Sequence, residues 1–227
     1  MLAITPDPAS TQADQASNHI RREILSCRLA PGTKIRINEV AARLDVSVGA
    51  VREALSRLAA EGLTVPQAQR GYSVAAVSAD ELRDLTETRI TIEKLCLQEA
   101  LAHGGLEWEN ALIAAAQRLR QLHERDPEDF LSISDQWTVA HACFHEAIVA
   151  GARSKWLLRV RHILYAQGER YRHLSVPMRN QERDVHAEHD AMLEAAINRD
   201  TNRLCSLMDA HLWQTTDTLL QSPILLG

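Results

Sequence analysis

The chain has 227 residues, with 25 Lys or Arg against 30 Asp or Glu, four cysteines, 45% apolar residues and only 4% aromatics. That length suits one large domain or two modest ones, and the apolar content excludes a disordered chain. No apolar run approaches the about 20 residues that span a bilayer. The opening MLAITPDPASTQADQ has neither the basic nor the apolar region of a signal peptide, and Cys27, Cys96, Cys143 and Cys205 form no C-x-x-C pair. A cytoplasmic chain with reduced thiols and no membrane contact is therefore expected. The net charge of −5 is unevenly laid: from Ser17 to Val77 nine Lys or Arg face five acids, a surplus of four, which leaves −9 for the remainder. Such asymmetry points to two domains with different partners.

Residues 1–16, with Pro6 and Pro8, read as a flexible tail. Ser17 is the expected N-cap of a first helix carrying Ile20, Ile24 and Leu25, stopped by Pro31-Gly32. A short helix over about Asn38 to Leu44 turns at Asp45-Val46 into a third helix over about Val48 to Glu61, with Ser47 as its cap. Val51, Ala54, Leu55 and Leu58 share the inner stripe of that helix, which leaves Arg52 outward, and Gly62 ends it. Leu63 to Pro66 and Tyr72 to Val77 alternate as two strands around Gln69-Arg70-Gly71. Helix, short helix, tight turn, helix and hairpin make a winged helix-turn-helix over residues 17–77, whose third helix enters a major groove of double-stranded DNA. Arg52, one turn into that helix, is the expected base contact, because a guanidinium pairs bidentately with guanine. Arg36, Arg57 and Arg70 are expected phosphate or wing contacts, and the capped end at Ser47 is expected to face a phosphate. For any one arginine alone the alternative is a solvated surface charge.

From residue 78 onward helix signals dominate: Ala79–His103, Glu107–Glu124, Glu128–Ala150, Ser154–Leu174, Pro177–Arg199 and Thr201–Gln221. The expected fold is thus mainly α, with an antiparallel bundle of six or seven helices behind the winged domain. His141 and His145 lie i, i+4 on the stripe of Trp137 and Ile148. His189 shares the stripe of Val185, Met192 and Ala196, and His211 that of Leu204, Met208 and Thr215. His186 lies near the face of His189 and is the alternative to it. Four inward imidazoles suit a divalent transition metal, zinc first, with nickel, cobalt or manganese as alternatives. The competing reading is four hydrogen-bonded core histidines. Arg89 shares the stripe of Leu82, Leu85, Ile92 and Cys96 and needs an anion, either Glu93 one turn on or the carboxylate of a ligand.

These segments are familiar as well. LAPGT (29–33), EVAARLDVS (39–47), AVREALSRLAAEGL (50–63) and QRGYSV (69–74) closely resemble the DNA-binding domain of GntR-family bacterial regulators. That resemblance implies that Arg52 reads an operator and Gly71 turns the wing. Ser47-Val48-Gly49-Ala50 lacks the arginine that family members often carry before Val-Arg-Glu-Ala-Leu. HACFH (141–145), EHDAMLEAAINRD (188–200) and MDAHL (208–212) resemble the FCD effector domain of the FadR subfamily. Metal-binding members have Asp-x-x-x-His on one helix and one histidine on each of two later ones. His141 stands where that aspartate is usual, and a neutral ligand in place of a carboxylate leaves about one more unit of positive charge to hold an anion. The resemblance implies a homodimeric regulator, of repressor sign, on a palindromic operator, controlled by a small carboxylate that Arg89 pairs. The alternative of a helical metal-dependent hydrolase is weak, because His145-Glu146 begins an H-E-x-x-H pattern that Val149 breaks.

Overall fold

The computed structural model describes residues 11–68, 71–124, 133–178 and 183–222. The chain divides after Val77 into two compact units.

In the first unit, α1 spans Gln12–Leu25, α2 Ile37–Leu44 and α3 Val48–Ala60. Three strands, β1 Lys34–Ile35, β2 Thr64–Gln67 and β3 Gly71–Val74, form an antiparallel sheet in the order β1-β3-β2. Helix α1 starts five residues before the expected Ser17. Thr11 and Asp14 close a reciprocal capping box, in which the Asp14 N–H donates to Thr11 Oγ1 at 3.1 Å and the Thr11 N–H to Asp14 Oδ2 at 3.0 Å. Ser17 is not a cap but a buried residue of the helix, on the face of Ala13, Ala16, Ile20 and Ile24. Residues 11–16, expected in the tail, thus belong to the capped start of α1. Ser47 does cap α3, accepting from the Ala50 N–H at 3.1 Å. Val51, Leu55 and Leu58 of that helix pack with Ile20, Ile24, Ile35 and Val74 in one core, each buried aliphatic stabilising by roughly 1.5–3 kcal/mol.

In the second unit, α4 spans Ala79–His103, α5 Leu106–Arg120, α6 Asp135–Ala147, α7 Lys155–Ser175, α8 Val185–Ile197 and α9 Thr201–Leu220. Ser78, Ser134, Ser154, Asp184 and Asp200 cap α4, α6, α7, α8 and α9 by accepting the third N–H of each. Two expected helices begin later than the pattern suggested. Ser134 caps α6 at Asp135, the expected start at Glu128 lying outside the described residues, and Val176–Met178 forms a 3-10 turn while Asp184 opens α8. Helix α4 packs on α7 and α9, α9 also meets α7 and α8, and α5 packs on α6 and α8. Trp137, Phe144, Leu97, Met192, Leu204 and Met208 fill the core between them. No helix among the described residues is long and apolar enough to cross a membrane.

The turn after α6 touches the end of α4 backbone to backbone. A Cβ on Gly151 would lie 2.7 Å from the Ala100 carbonyl oxygen and 2.9 Å from Gly104 Cα. Gly151→Ala is expected to destabilise the protein by about 1–3 kcal/mol, read as a lower denaturation midpoint; an unchanged midpoint would contradict so close an approach.

Candidate functional site

Helices α6, α8 and α9 bring His141, His145, His189 and His211 together, none more than 7% exposed. One ligand nitrogen from each lies within 4.8 Å of the others. His145 Nε2 is the centre, 3.1 Å from His141 Nε2 and 3.2 Å from His189 Nε2. His186 is not in the cluster.

Burial, followed by the neighbouring imidazoles and arginines, holds His141 and His145 well below the ordinary histidine pKa. His189 is lowered the same way, by burial first and His211 next. Neutral imidazoles have one acceptor nitrogen each, so facing Nε2 atoms need a proton or a cation between them. At His211 the flanking bond identifies the nitrogen that faces inward. Glu188 Oε2 accepts from His211 Nδ1 at 2.6 Å, which leaves Nε2 as that ring's acceptor. Glu188 is held in turn by Arg183 Nε and Nη2 at 2.7 and 2.8 Å. Burial opposes ionisation of this carboxyl, but the Arg183 and His211 bonds outweigh it and pull its pKa down to about 2. Such a carboxylate behind a histidine is the usual outer support of a metal ligand. His141 Nδ1 lies 3.2 Å from the Tyr165 hydroxyl, and burial pushes that phenol's pKa up, so it stays protonated. At metal–nitrogen lengths of about 2.0–2.1 Å a tetrahedral set has neighbouring nitrogens about 3.3 Å apart. The two separations at His145, 3.1 and 3.2 Å, are close to that value, and the four nitrogens together lie within 4.8 Å.

A cavity of about 40 Å³ adjoins the cluster, lined by His141 and His211 together with Thr86, Arg89, Tyr171 and Arg172. Arg89 is buried, with its guanidinium 4.8 Å from the centroid of the Tyr165 ring. Its Nε forms an ion pair with Glu93 Oε1 at 3.5 Å, while Glu93 Oε2 accepts from Arg161 Nε at 2.8 Å. Arg161 also donates to Glu146 and to the His145 carbonyl oxygen. Arg172 donates from Nε and Nη2 to both oxygens of Glu169, at 2.9 and 2.6 Å. A Cβ on Gly168 would come within 2.5 Å of Arg89 Nη1, so this mid-helix glycine makes the room that Arg89 occupies.

Sequence reasoning missed Arg161, Glu169, Arg172, Tyr165 and Glu188. The signal was present in α7, where Arg161, Tyr165, Glu169 and Arg172 follow helical spacing on one stripe. That stripe is the buried one, whereas Trp156, 72% exposed, and Ile163 face outward. An apolar-inside rule assigns the faces of this helix backwards.

In the first unit Arg36, Arg52 and Gly71 line one groove with Lys34, Gln67 and Tyr72. Gly71 has φ +93, which only glycine adopts without strain, and it opens β3 where the wing turns. Arg36 is exposed and 2.9 Å from Glu39. Ser47 uses its hydroxyl as the α3 cap, while its N–H donates to Gln12 Oε1 at 3.1 Å. Arg57 does not line the groove. It donates to Asp14 at 2.6 Å and Glu53 at 2.5 Å, bridging α1 to α3. Arg70 lies outside the described residues.

Comparison with known proteins agrees with these two units. The model of bacterial regulatory proteins of the gntR family matches residues 12–74, and that of the FCD domain matches residues 84–214. The HTH-type transcriptional regulator BphR of Paraburkholderia xenovorans LB400, itself uncharacterized, is 38% identical over 206 residues, covering 91% of this chain and 84% of its own. The HTH-type transcriptional repressor GlaR of Escherichia coli K12 is 36% identical, over 85% of this chain and 89% of its own. The structure of E. coli McbR/YncC superposes with a TM-score of 0.78 at 19% identity, over 93% of this chain and 98% of that one, a likeness of fold alone. The chain belongs to the GntR family of bacterial transcriptional regulators, with an FCD domain behind its DNA-binding domain, and is a regulator rather than an enzyme.

Proposed function

We propose that the protein is a homodimeric repressor whose affinity for a palindromic operator is set by a small carboxylate bound at a divalent metal in the FCD domain. The observation that carries this reading is the set of four buried histidines, in which His145 Nε2 lies 3.1 and 3.2 Å from His141 Nε2 and His189 Nε2. His141, His145, His189 and His211 would hold the ion, zinc by the chemistry of an all-imidazole set. When bound, it supplies a cationic anchor for a carboxylate. The chain's own residues do the rest: Glu188 fixes the His211 ring, Tyr165 adjoins the His141 ring, and Arg89 stands in the adjoining cavity as an ionic partner for the ligand. Two relatives carry the word repressor in their names, which supports the sign. In the first unit Arg52 reads base edges while Arg36, Lys34 and the Ser47 end of α3 adjoin phosphates. Arg70 and Gly71 belong to the wing in the same reading. Arg57, already spent on two carboxylates, serves the reader by fixing α1 against α3. Ligand binding then shifts the population of dimer arrangements and with it the fit to two half-sites.

Protein purified without a His tag is expected to contain stoichiometric metal, which His145→Ala plus His211→Ala removes. Metal-free wild type, or a metal-replete double variant, would sink the metal centre. Glu188→Gln is expected to weaken metal affinity roughly 10- to 100-fold while the fold is retained; equal affinity would rule out its supporting role. Arg52→Ala should cost about 1–3 kcal/mol of operator affinity in a gel shift on the protein's own upstream region, and undiminished binding would refute the assignment. Arg89→Met should keep metal and operator binding but lose the response to carboxylates.

A further inference from the structure

Helix α3 begins with two residues that its own fold does not ask for. Val48, the first residue of the helix, is 41% exposed. The apolar position that staples such a helix start is the one before the cap, and Val46 fills it, packing against the core that holds Val51. Val48 takes no part in that core. A β-branched residue there is a weak helix former, so neither packing nor propensity accounts for it. Gly49 follows, exposed and with no positive φ. A Cβ added to it would meet only Ser47 Oγ, at 3.8 Å, an ordinary contact. Alanine would therefore fit, and glycine is the less stable choice in a helix. The stretch Ser47-Val48-Gly49-Ala50 holds no charged side chain either. Val48 stands i, i+4 to Arg52, so the two share one helix face, and Arg52 on that face is exposed and lines the groove of the first unit.

We infer that this bare first turn reads a thymine: the Val48 methyls pack on the thymine C5 methyl, and Gly49, lacking a Cβ, lets the helix end approach closely enough for that contact. This rests on the proposed assignment of α3 and Arg52 to base edges, and adds a second base to what they read. Thymine is the base whose major-groove edge carries a methyl, so an apolar side chain on a reading helix selects it. Cytosine in its place would present an amine donor to a side chain that cannot accept. Four residues of helix advance about 6 Å, less than two base-pair steps of about 3.4 Å each. The thymine thus lies within two base pairs of the guanine that Arg52 pairs. Val48 is a specificity residue, and Gly49 a positioning residue.

The test is a binding titration of the full-length protein on the duplex it selects from a random pool, with deoxyuridine replacing thymidine one position at a time. That exchange removes the methyl and nothing else. At least one position in each half-site is expected to lose about three- to fivefold in affinity. Val48→Ala should lose a similar factor on the thymine duplex and show no further loss at that position with deoxyuridine. Gly49→Ala should raise the denaturation midpoint while weakening operator binding, a combination that a purely structural glycine does not produce. Three results would overturn the inference while Arg52→Ala still loses affinity and the reading helix stands. They are deoxyuridine tolerated at every position, a methyl dependence undiminished in Val48→Ala, and wild-type binding by Gly49→Ala. If Arg52→Ala itself binds the duplex as the wild type does, α3 is not the reader, and this inference falls with that part of the proposed function.

Discussion

Desolvation decides the state of the second unit's interior. Burial among one another keeps His141, His145 and His189 uncharged, since each added positive charge would meet its neighbours through a medium of low dielectric. The surrounding residues follow from that constraint. Glu188 takes the Nδ1 proton of His211 and is itself neutralised by Arg183, so it orients a ring without leaving a net negative charge at the cluster. Tyr165, kept protonated by its burial, stands at His141 Nδ1 as a neutral partner. The same accounting explains why Arg161 is tied to Glu93 beneath the His145 carbonyl: a buried guanidinium is tolerated when its donors are spent on fixed acceptors. The buried ionic groups here stand largely in pairs, Arg161 with Glu93 and Arg172 with Glu169.

The first unit handles its charges in the opposite way, at the surface. Arg21 meets Glu61, Arg43 meets Glu23 and Arg57 meets Asp14, each joining α1 to α2 or to the α3 region. Any one of these exposed pairs is worth about 0–1 kcal/mol, and the apolar core beneath them holds the unit together. Their effect is one of allocation. Arginines used to brace the helices are withdrawn from the groove, where Lys34, Arg36 and Arg52 remain. A surplus of positive charge read from composition alone cannot separate these two groups, because both consist of basic side chains at the surface.

Much of the architecture was legible because apolar periodicity and capping residues agree with each other. Helices α3, α4 and α9 begin within a residue of their expected starts, each announced by Ser47, Ser78 or Asp200. Helix α1 was misplaced because Ser17 looks like a cap while the Thr11-Asp14 box six residues earlier holds the end. Strand β1 has two residues and exists only through its pairing with Ser73 and Tyr72, a long-range contact that no local pattern encodes. The histidine cluster could be found because i, i+4 spacing and three apolar stripes fix side-chain direction without tertiary information. Its partners on α7 could not, because that helix buries ionic pairs and exposes Trp156, Val160 and Ile163. Hydrophobic patterning reports what water rejects, and it is silent where burial is supported by paired charge.

Gly168 gives the last of these features an evolutionary reach. It offers no functional group, and its contribution is the absence of a methyl where Arg89 Nη1 lies. Adding a single carbon there would reshape the cavity while leaving every histidine and every arginine in the sequence. A lineage can therefore retune what such a domain responds to by drifting at a position that a comparison of ligand-contacting residues would pass over. Two relatives with the same four histidines and the same Arg89 need not answer to the same metabolite.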